Sequence, residues 1–214
     1  MFALIKKSLA AALLIGLGNY ALLKLGSPIG PVIFAFGLLG VCYLELNLFT
    51  GKCGFLFESR LKLTDLLFIL LFNLVGGYLF GLLFRLADPS LAEPALEKIA
   101  SWDFSIAFFV RSFLCGVIMY LAVKMYKKGT PLGIIFGIPL FIFCGFQHCI
   151  ANVITLGVGV AFSWSLVLAI LGNFLGSLFM SFLSQEPNST TNSKIAKPET
   201  AAVSQQKSLK KSKR

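Results

Sequence analysis

The chain has one histidine and nine acidic residues among 214, and only 13% of its residues are charged. Soluble domains usually carry about 25% charged residues, so this much apolar material has no soluble home. A single histidine is too few for a usual zinc set, and the five cysteines (Cys42, Cys53, Cys115, Cys144 and Cys149) lack metal-ligand spacing. They read as small packing residues. No nucleophile stands beside a base or a metal cluster, so the chain is not read as an enzyme and no cofactor is implied. No polar, small-residue cleavage region follows the first apolar run, which is therefore not a cleaved signal peptide.

What the chain does have is apolar length. It is 57% hydrophobic, with 22 Phe and 20 Gly, and its mean hydropathy is +0.86. The apolar residues fall into runs of about 20, the length that crosses a hydrocarbon core of ~30 Å. These predict six spans near 8–25, 29–49, 64–87, 104–126, 131–156 and 160–184. The net charge of +10 is distributed as a topology signal rather than as a nucleic-acid surface. Lys6, Lys7, Arg60, Lys62, Lys124, Lys127 and Lys128 fall on one side, and Asp88, Glu93, Glu97 and Asp103 on the other. The positive-inside rule then makes both termini cytoplasmic, in a multi-pass protein of the cell membrane. Residues 185–214 form a Ser/Thr/Gln-rich stretch with seven cations and two acids, expected to be a disordered, solvated cytoplasmic tail. Its Asn188-Ser-Thr sequon would lie on the wrong side for glycosylation.

The membrane part, 1–184, is written twice. "GSPIGPVIF" at 26–34 is echoed by "GTPLGIIF" at 129–136, and "NLVGGYLFGLL" at 73–83 by "NFLGSLFMSFL" at 173–183. Repeat 1 covers about 1–87 and repeat 2 about 104–184. With three spans in each, the second copy enters from the opposite side, giving an inverted repeat of the kind found in many transporters and channels. Such proteins place their sites where matching spans are interrupted. "NLFTGKCGF" (47–55) interrupts span 2 and "GFQHCIANV" (145–153) interrupts span 5, each with a Gly beside polar residues. Freed backbone groups at membrane depth are tolerated only where they line a cavity. The two interruptions are therefore expected to face each other, with His148 opposite Thr50. An intramembrane ionisable residue is a functional candidate by default. The plainer alternatives are that His148 caps a helix end, that Thr50 bonds its own backbone and that Lys52 snorkels to the interface. Glu45 has three options: to pair with Lys52, to pair with Arg111, or to move in beside Asn47.

At these segments the sequence resembles the formate/nitrite transporter family. The resemblance rests on Leu48-Phe49-Thr50-Gly51, on Gly145-Phe146-Gln147-His148-Cys149-Ile150-Ala151-Asn152, on Gly172-Asn173-x-x-Gly176, and on "RSFLCGVIMYLAV" in span 4. It covers most of 3–184. It implies an all-α, aquaporin-like protomer of six transmembrane helices with helices 2 and 5 broken. It further implies a homopentamer in membrane lipid and one pore per protomer for small weak-acid anions such as formate, nitrite, hydrosulfide, acetate or lactate. Carried over by motif, His148 is the central pore histidine, Thr50 faces it, and Asn152 is the polar partner in span 5. Leu38, Leu48, Phe49 and Phe141 fall at the apolar constrictions. Gly76, Gly77, Gly172 and Gly176 offer faces for close helix packing between copies.

Several positions depart from that family's pattern. Asn47 and Gln147 stand where glutamates are usual, Lys52 where Asn is usual, and Gly116 where Asn is usual in span 4. Lys98 is the nearest candidate for the lysine ahead of span 4. Few residues precede span 1, so the N-terminal gating helix of some relatives is expected to be largely missing.

The chemistry of the residues agrees with an anion pore. An anion pays a large desolvation cost in a low-dielectric passage, and protonating it is one escape. Histidine, with a reference pKa near 6.5, is the side chain suited to handling that proton. Lys52 adds positive potential at one mouth and opposes an imidazolium at His148. The competing readings are an aquaporin-like channel for neutral solutes, although the paired Asn-Pro-Ala motifs of such channels are absent, and a non-conducting structural membrane protein.

Overall fold

The computed structural model describes residues 1–58 and 61–185; the expected basic tail, from 186 onward, and Arg60 lie outside them. Nine α-helices occur among the described residues: α1 (Phe2–Leu25), α2 (Ile29–Tyr43), α3 (Phe49–Lys52), α4 (Leu63–Ala87), α5 (Ala92–Ala100), α6 (Ile106–Lys127), α7 (Leu132–Phe143), α8 (Cys149–Gly159) and α9 (Ser165–Leu183). Short 3-10 turns at Cys53–Phe55 and Pro89–Leu91 join them.

Four helices, α1, α4, α6 and α9, are long and apolar enough to cross a membrane, while α2, α7 and α8 are shorter. Their outward surfaces carry large apolar side chains such as Phe36, Leu79, Phe136 and Phe182, more than half exposed. That pattern is the reverse of a soluble helix bundle and suits a lipid solvent. The chain is a multi-pass membrane protein.

Polar residues gather inside. Ser8, Asn19, Thr50, Asn73, Ser112, His148, Asn152, Thr155, Asn173, Ser177 and Ser181 are all buried. Asn19 of α1 bonds Thr155 of α8 at 3.1 Å, while Ser8 and Ser112 bond carbonyls of their own helices, those of Leu4 and Phe108, at 2.8 Å, so these groups are satisfied inside the protein.

Helix pairing runs α6 on α9, α4 on α8, α1 on α2 and α4, and α7 on α2 and α6. Glycine sets the closest approaches. A methyl group on Gly116 or Gly176 would strike the backbone carbonyl of Asn173 or Phe113, and one on Gly157 that of Tyr78. Gly76, Gly77, Gly172 and Gly176 also face helices of their own chain: Gly76 meets Leu9, Gly77 Val153, Gly172 Ser112 and Gly176 Phe113. They serve packing inside the protomer, not the contact between copies that the sequence suggested.

Candidate functional site

Helix stops at Tyr43 and resumes at Phe49; it stops again at Phe143 and resumes at Cys149. The stop comes earlier than the polar strings imply, so Thr50 and Lys52 sit on the short helix after the gap, not within it. The two gaps have one geometry. Glu45 and Gly145 take left-handed backbone, with φ of 51° and 69°. The Leu46 N–H then reaches the Val41 carbonyl and the Phe146 N–H the Phe141 carbonyl, both at 2.9 Å. Glycine suits that φ, whereas at Glu45 it is a strained choice.

Each resumed helix begins with an orphan N–H inside the protein, where water cannot satisfy it. Asn73 of α4 accepts the Phe49 N–H at 2.8 Å and donates to the carbonyls of Ser8 (2.8 Å) and Asn47 (3.0 Å). Asn173 of α9 accepts the Cys149 N–H at 2.8 Å and donates to those of Ser112 (2.7 Å) and Gln147 (2.8 Å). Two buried asparagines thus tie each gap to two flanking helices.

The residue before each resumed helix is extended: Leu48 (φ −99°, ψ 126°) and His148 (φ −102°, ψ 113°). Leu48 has no side chain with which to cap. His148 has one, and its Nδ1 accepts the Ala151 N–H at 3.1 Å. Because a backbone N–H can only donate, Nδ1 carries the lone pair and the neutral ring holds its hydrogen on Nε2. Nε2 lies 2.8 Å from Thr50 Oγ1, so the Nε2–H donates to the threonine. His148 is a helix cap and a partner of Thr50 at once.

Two cavities lie near this bond, one lined by His148 and the other by Gly51, the residue after Thr50. One, of about 60 Å³, is lined by His148, Asn152, Gln147, Phe34, Phe141 and Lys98, among others. Phe141 stacks near the imidazole at 6.0 Å between ring centres and meets Phe34 edge-on at 6.1 Å. Asn152 donates to the Gln147 amide oxygen at 3.1 Å. The other cavity, of about 540 Å³, is lined by Lys7, Leu38, Glu45, Leu48, Lys52 and Lys127, with Gly51 beside Thr50. Leu38, Leu48, Thr50, His148 and Asn152 are each at most 2% exposed, and Phe141 is 3% exposed.

Of the eight residues singled out in the sequence, Leu38, Leu48 and Lys52 line the larger cavity, His148, Asn152 and Phe141 line the smaller one, and Thr50 reaches the smaller one through its bond to His148. The Phe49 ring stacks on Phe174 at 6.4 Å and lines neither cavity. The ammonium that shares the His148 cavity is that of Lys98, whereas Lys52 lines the larger cavity. Lys98 comes from α5, outside the long helices, and burial pushes its ammonium down to about 8. Phe34 is a wall residue that the sequence did not reveal; nothing marks it among the 22 phenylalanines. Of the options for Glu45, pairing with Arg111 is excluded, since Arg111 pairs with Asp103 at 3.2 Å. Glu45 shares its cavity with Lys52 instead. At the end of α4, Asp88 takes Lys24 (2.7 Å) and Tyr20 (3.0 Å), and the Lys24 ammonium with the Ser90 bonds holds its carboxyl far below the usual range.

Comparison with known proteins agrees with this architecture. The family described as "Formate/nitrite transporter" matches residues 1–183. The uncharacterized transporter YwcJ of Bacillus subtilis is 29% identical over 190 residues, covering 72% of each chain. The uncharacterized transporter YrhG of the same organism is 28% identical over 186 residues, covering 75% of this chain and 66% of its own. Among solved structures, an "FNT family ion channel" superposes with a TM-score of 0.63 at 23% identity, covering 84% of this chain and 85% of that one. A "Pentameric formate channel with formate bound" gives 0.66 at 17% identity, covering 85% and 93%. These last two likenesses carry the fold.

Proposed function

The chain belongs to the formate/nitrite transporter family, and on that premise we propose that it is a membrane pore for small monovalent weak-acid anions: formate, nitrite or hydrosulfide. The observation that carries the reading is the buried Thr50–His148 bond at 2.8 Å, set near two cavities that each hold lysine and apolar walls. We read the fold as six crossings in two three-helix halves of opposite orientation, with the second helix of each half broken. The matched asparagine ties of Asn73 and Asn173 support that reading. The end bearing Lys7, Lys52 and Lys127 faces the cytoplasm on the positive-inside rule, in the cell membrane. Five copies assemble, by analogy with the pentameric formate channel that the fold resembles.

In this reading Lys98 and the larger cavity's lysines draw the anion toward apolar rings, Leu38 with Leu48 on one side and Phe34 with Phe141 on the other. A charged species does not cross such rings readily. The Nε2–H of His148 points at Thr50, which leaves the threonine hydroxyl hydrogen for the anion, with Asn152 beside it. His148 handles the proton. An imidazolium passes its Nε2 proton to Thr50 while the threonine's own hydrogen goes to the anion, and neutral acid forms. The ring is then left with its hydrogen on Nδ1, facing the Ala151 N–H donor. That mismatch favours a reset, in which Nδ1 loses its hydrogen to water and Nε2 regains one. The test is flux of labelled formate, nitrite and hydrosulfide into liposomes bearing the purified protein. Flux no faster than in protein-free liposomes for all three would overturn the reading.

A further inference from the structure

The larger cavity holds more positive charge than a monovalent ion needs. Among the described residues, Lys7, Lys52 and Lys127 line it against one carboxylate, Glu45. The ammonium groups lie close enough to act on one another, Lys52 with Lys7 and Lys127 with Lys52. Two of them are held in place. Lys7 donates to the Glu45 carbonyl at 3.3 Å, and Lys127 sits over the Phe55 ring at 3.4 Å. The neighbouring acid, Glu58, is already taken by Tyr120 at 2.7 Å, Ser181 at 2.8 Å and Lys124 at 3.5 Å. Glu58 also acts on Lys127, but so does Lys124, the cation beside it, and the two offset one another.

We propose that this cavity is a binding site for a divalent phosphate-class oxyanion, which docks among Lys7, Lys52 and Lys127 and plugs the pore without crossing it. The proposal rests on the pore reading for its consequence but not for the binding itself. A dianion satisfies the surplus that one carboxylate leaves, and oxygen acceptors match ammonium donors. A volume of about 540 Å³ accommodates phosphate or a small phosphate monoester. Leu38 and Leu48, each at most 1% exposed, form the apolar end. Since Born desolvation grows as the square of charge, a dianion loses about four times what a monoanion loses on entering such a ring. It also keeps a charge after taking one proton. The site thus favours the ions that the ring rejects.

The experiment titrates full-length protein in a phosphate-free detergent with inorganic phosphate, glycerol phosphate and formate, by calorimetry. Separately, formate flux is read in liposomes with each phosphate on one side only. Expected are saturable phosphate binding and inhibition from one side of the membrane. Lys127→Gln should weaken binding about tenfold or more, the change that loss of a charge-assisted bond makes, and Lys127→Arg should restore it. Inhibition in each variant is scored against its own phosphate-free flux. Inorganic phosphate acting alone identifies the free ion as occupant, and glycerol phosphate acting more strongly identifies a monoester. No phosphate binding, or binding unchanged in Lys127→Gln, overturns the proposal. Binding without any formate flux would leave the site standing and sink the pore reading.

Discussion

The amide oxygen of Asn173 lies 2.8 Å from the backbone N–H of Cys149, and Asn73 holds Phe49 at the same distance. Each asparagine is fully buried and also donates to two carbonyls. Truncating either to Ala leaves three backbone groups without these partners, at about 1–3 kcal/mol for each that finds no water. Asn73→Ala and Asn173→Ala should both lower stability by at least about 2 kcal/mol, read as thermal unfolding in detergent. Asn173→Asp keeps the acceptor but turns a carboxylate toward the carbonyls of Ser112 and Gln147, so it should not rescue. Wild-type stability in Asn173→Asp would show that the donated bonds contribute nothing.

Close helix contact makes a second prediction. Gly116 and Gly176 let α6 close on backbone of α9, and an added methyl meets a carbonyl oxygen at each. Gly116→Ala and Gly176→Ala should each cost about 1–3 kcal/mol by overpacking. Gly116→Asn, with a larger side chain, should be worse. Gly51 is the contrast: its added methyl meets nothing nearer than Val123 at 3.6 Å, so Gly51→Ala should be neutral or slightly stabilising in its helical turn. Equal melting temperatures for all three alanine variants would contradict this.

Lys98 gives a pH dependence with a defined sign. Its ammonium is lowered to about 8 by burial, so it is charged below that pH and increasingly neutral above it. A charged Lys98 in the His148 cavity attracts anions, so formate flux should fall as pH rises through about 8 on that side. Formate itself stays ionised across this range. Lys98→Gln should lower flux below pH 8 and remove the step. A step of the same size and midpoint in Lys98→Gln would assign it to another group.

The two polar interruptions were legible in the sequence because a bilayer gives so few reasons for Gln, His, Asn and Lys inside apolar runs. The pairing of Asn73 with Asn173 was legible for the same reason, as polar landmarks in two similar strings. Phe34 was not, because an aromatic wall residue and an aromatic lipid contact look alike where apolar residues fill every face. The direction of the Phe49 ring was hidden for the same cause. Lys98 was visible only through resemblance, since its approach to His148 depends on how α5 folds back between the long helices. The glycine faces were legible as close-packing surfaces, but a small residue does not say whether its neighbour belongs to its own chain.

The apolar rings are tested by shrinking them. Leu38 lines the lysine-rich cavity, whereas Phe141 and Phe34 line the His148 cavity in edge-on contact. Leu38→Ala and Phe141→Ala should each raise leak of larger anions such as lactate relative to formate. Phe34→Ala should act like Phe141→Ala, since removing either ring opens the same contact. Stability should fall by about 2–5 kcal/mol in each, so flux is compared at equal amounts of folded protein. Selectivity unchanged in all three would reduce these residues to ordinary packing.

The histidine joins two roles that substitution can separate. Its Nδ1 caps α8 through the Ala151 N–H, and its Nε2–H meets Thr50. A second proton must go to Nδ1, which then becomes a donor and can no longer accept the Ala151 N–H. Protonation therefore releases the cap, and transport coupled to it is coupled to the start of α8. His148→Asn keeps a good capping side chain but cannot take a proton. His148→Phe loses both cap and proton. The phenylalanine variant should lose about 0.5–2 kcal/mol of stability, the usual worth of a cap, and the asparagine variant much less. Wild-type flux of formate should rise as external pH falls between about 8 and 5, the range that histidine covers. Below the Lys98 step near pH 8, the asparagine variant should conduct with altered anion preference and a flat profile, and the phenylalanine variant should be flat and slow. Stopped-flow measurement in liposomes reads all three. A wild-type pH profile retained in His148→Asn would remove the proton-handling role and leave His148 as a cap that happens to touch Thr50.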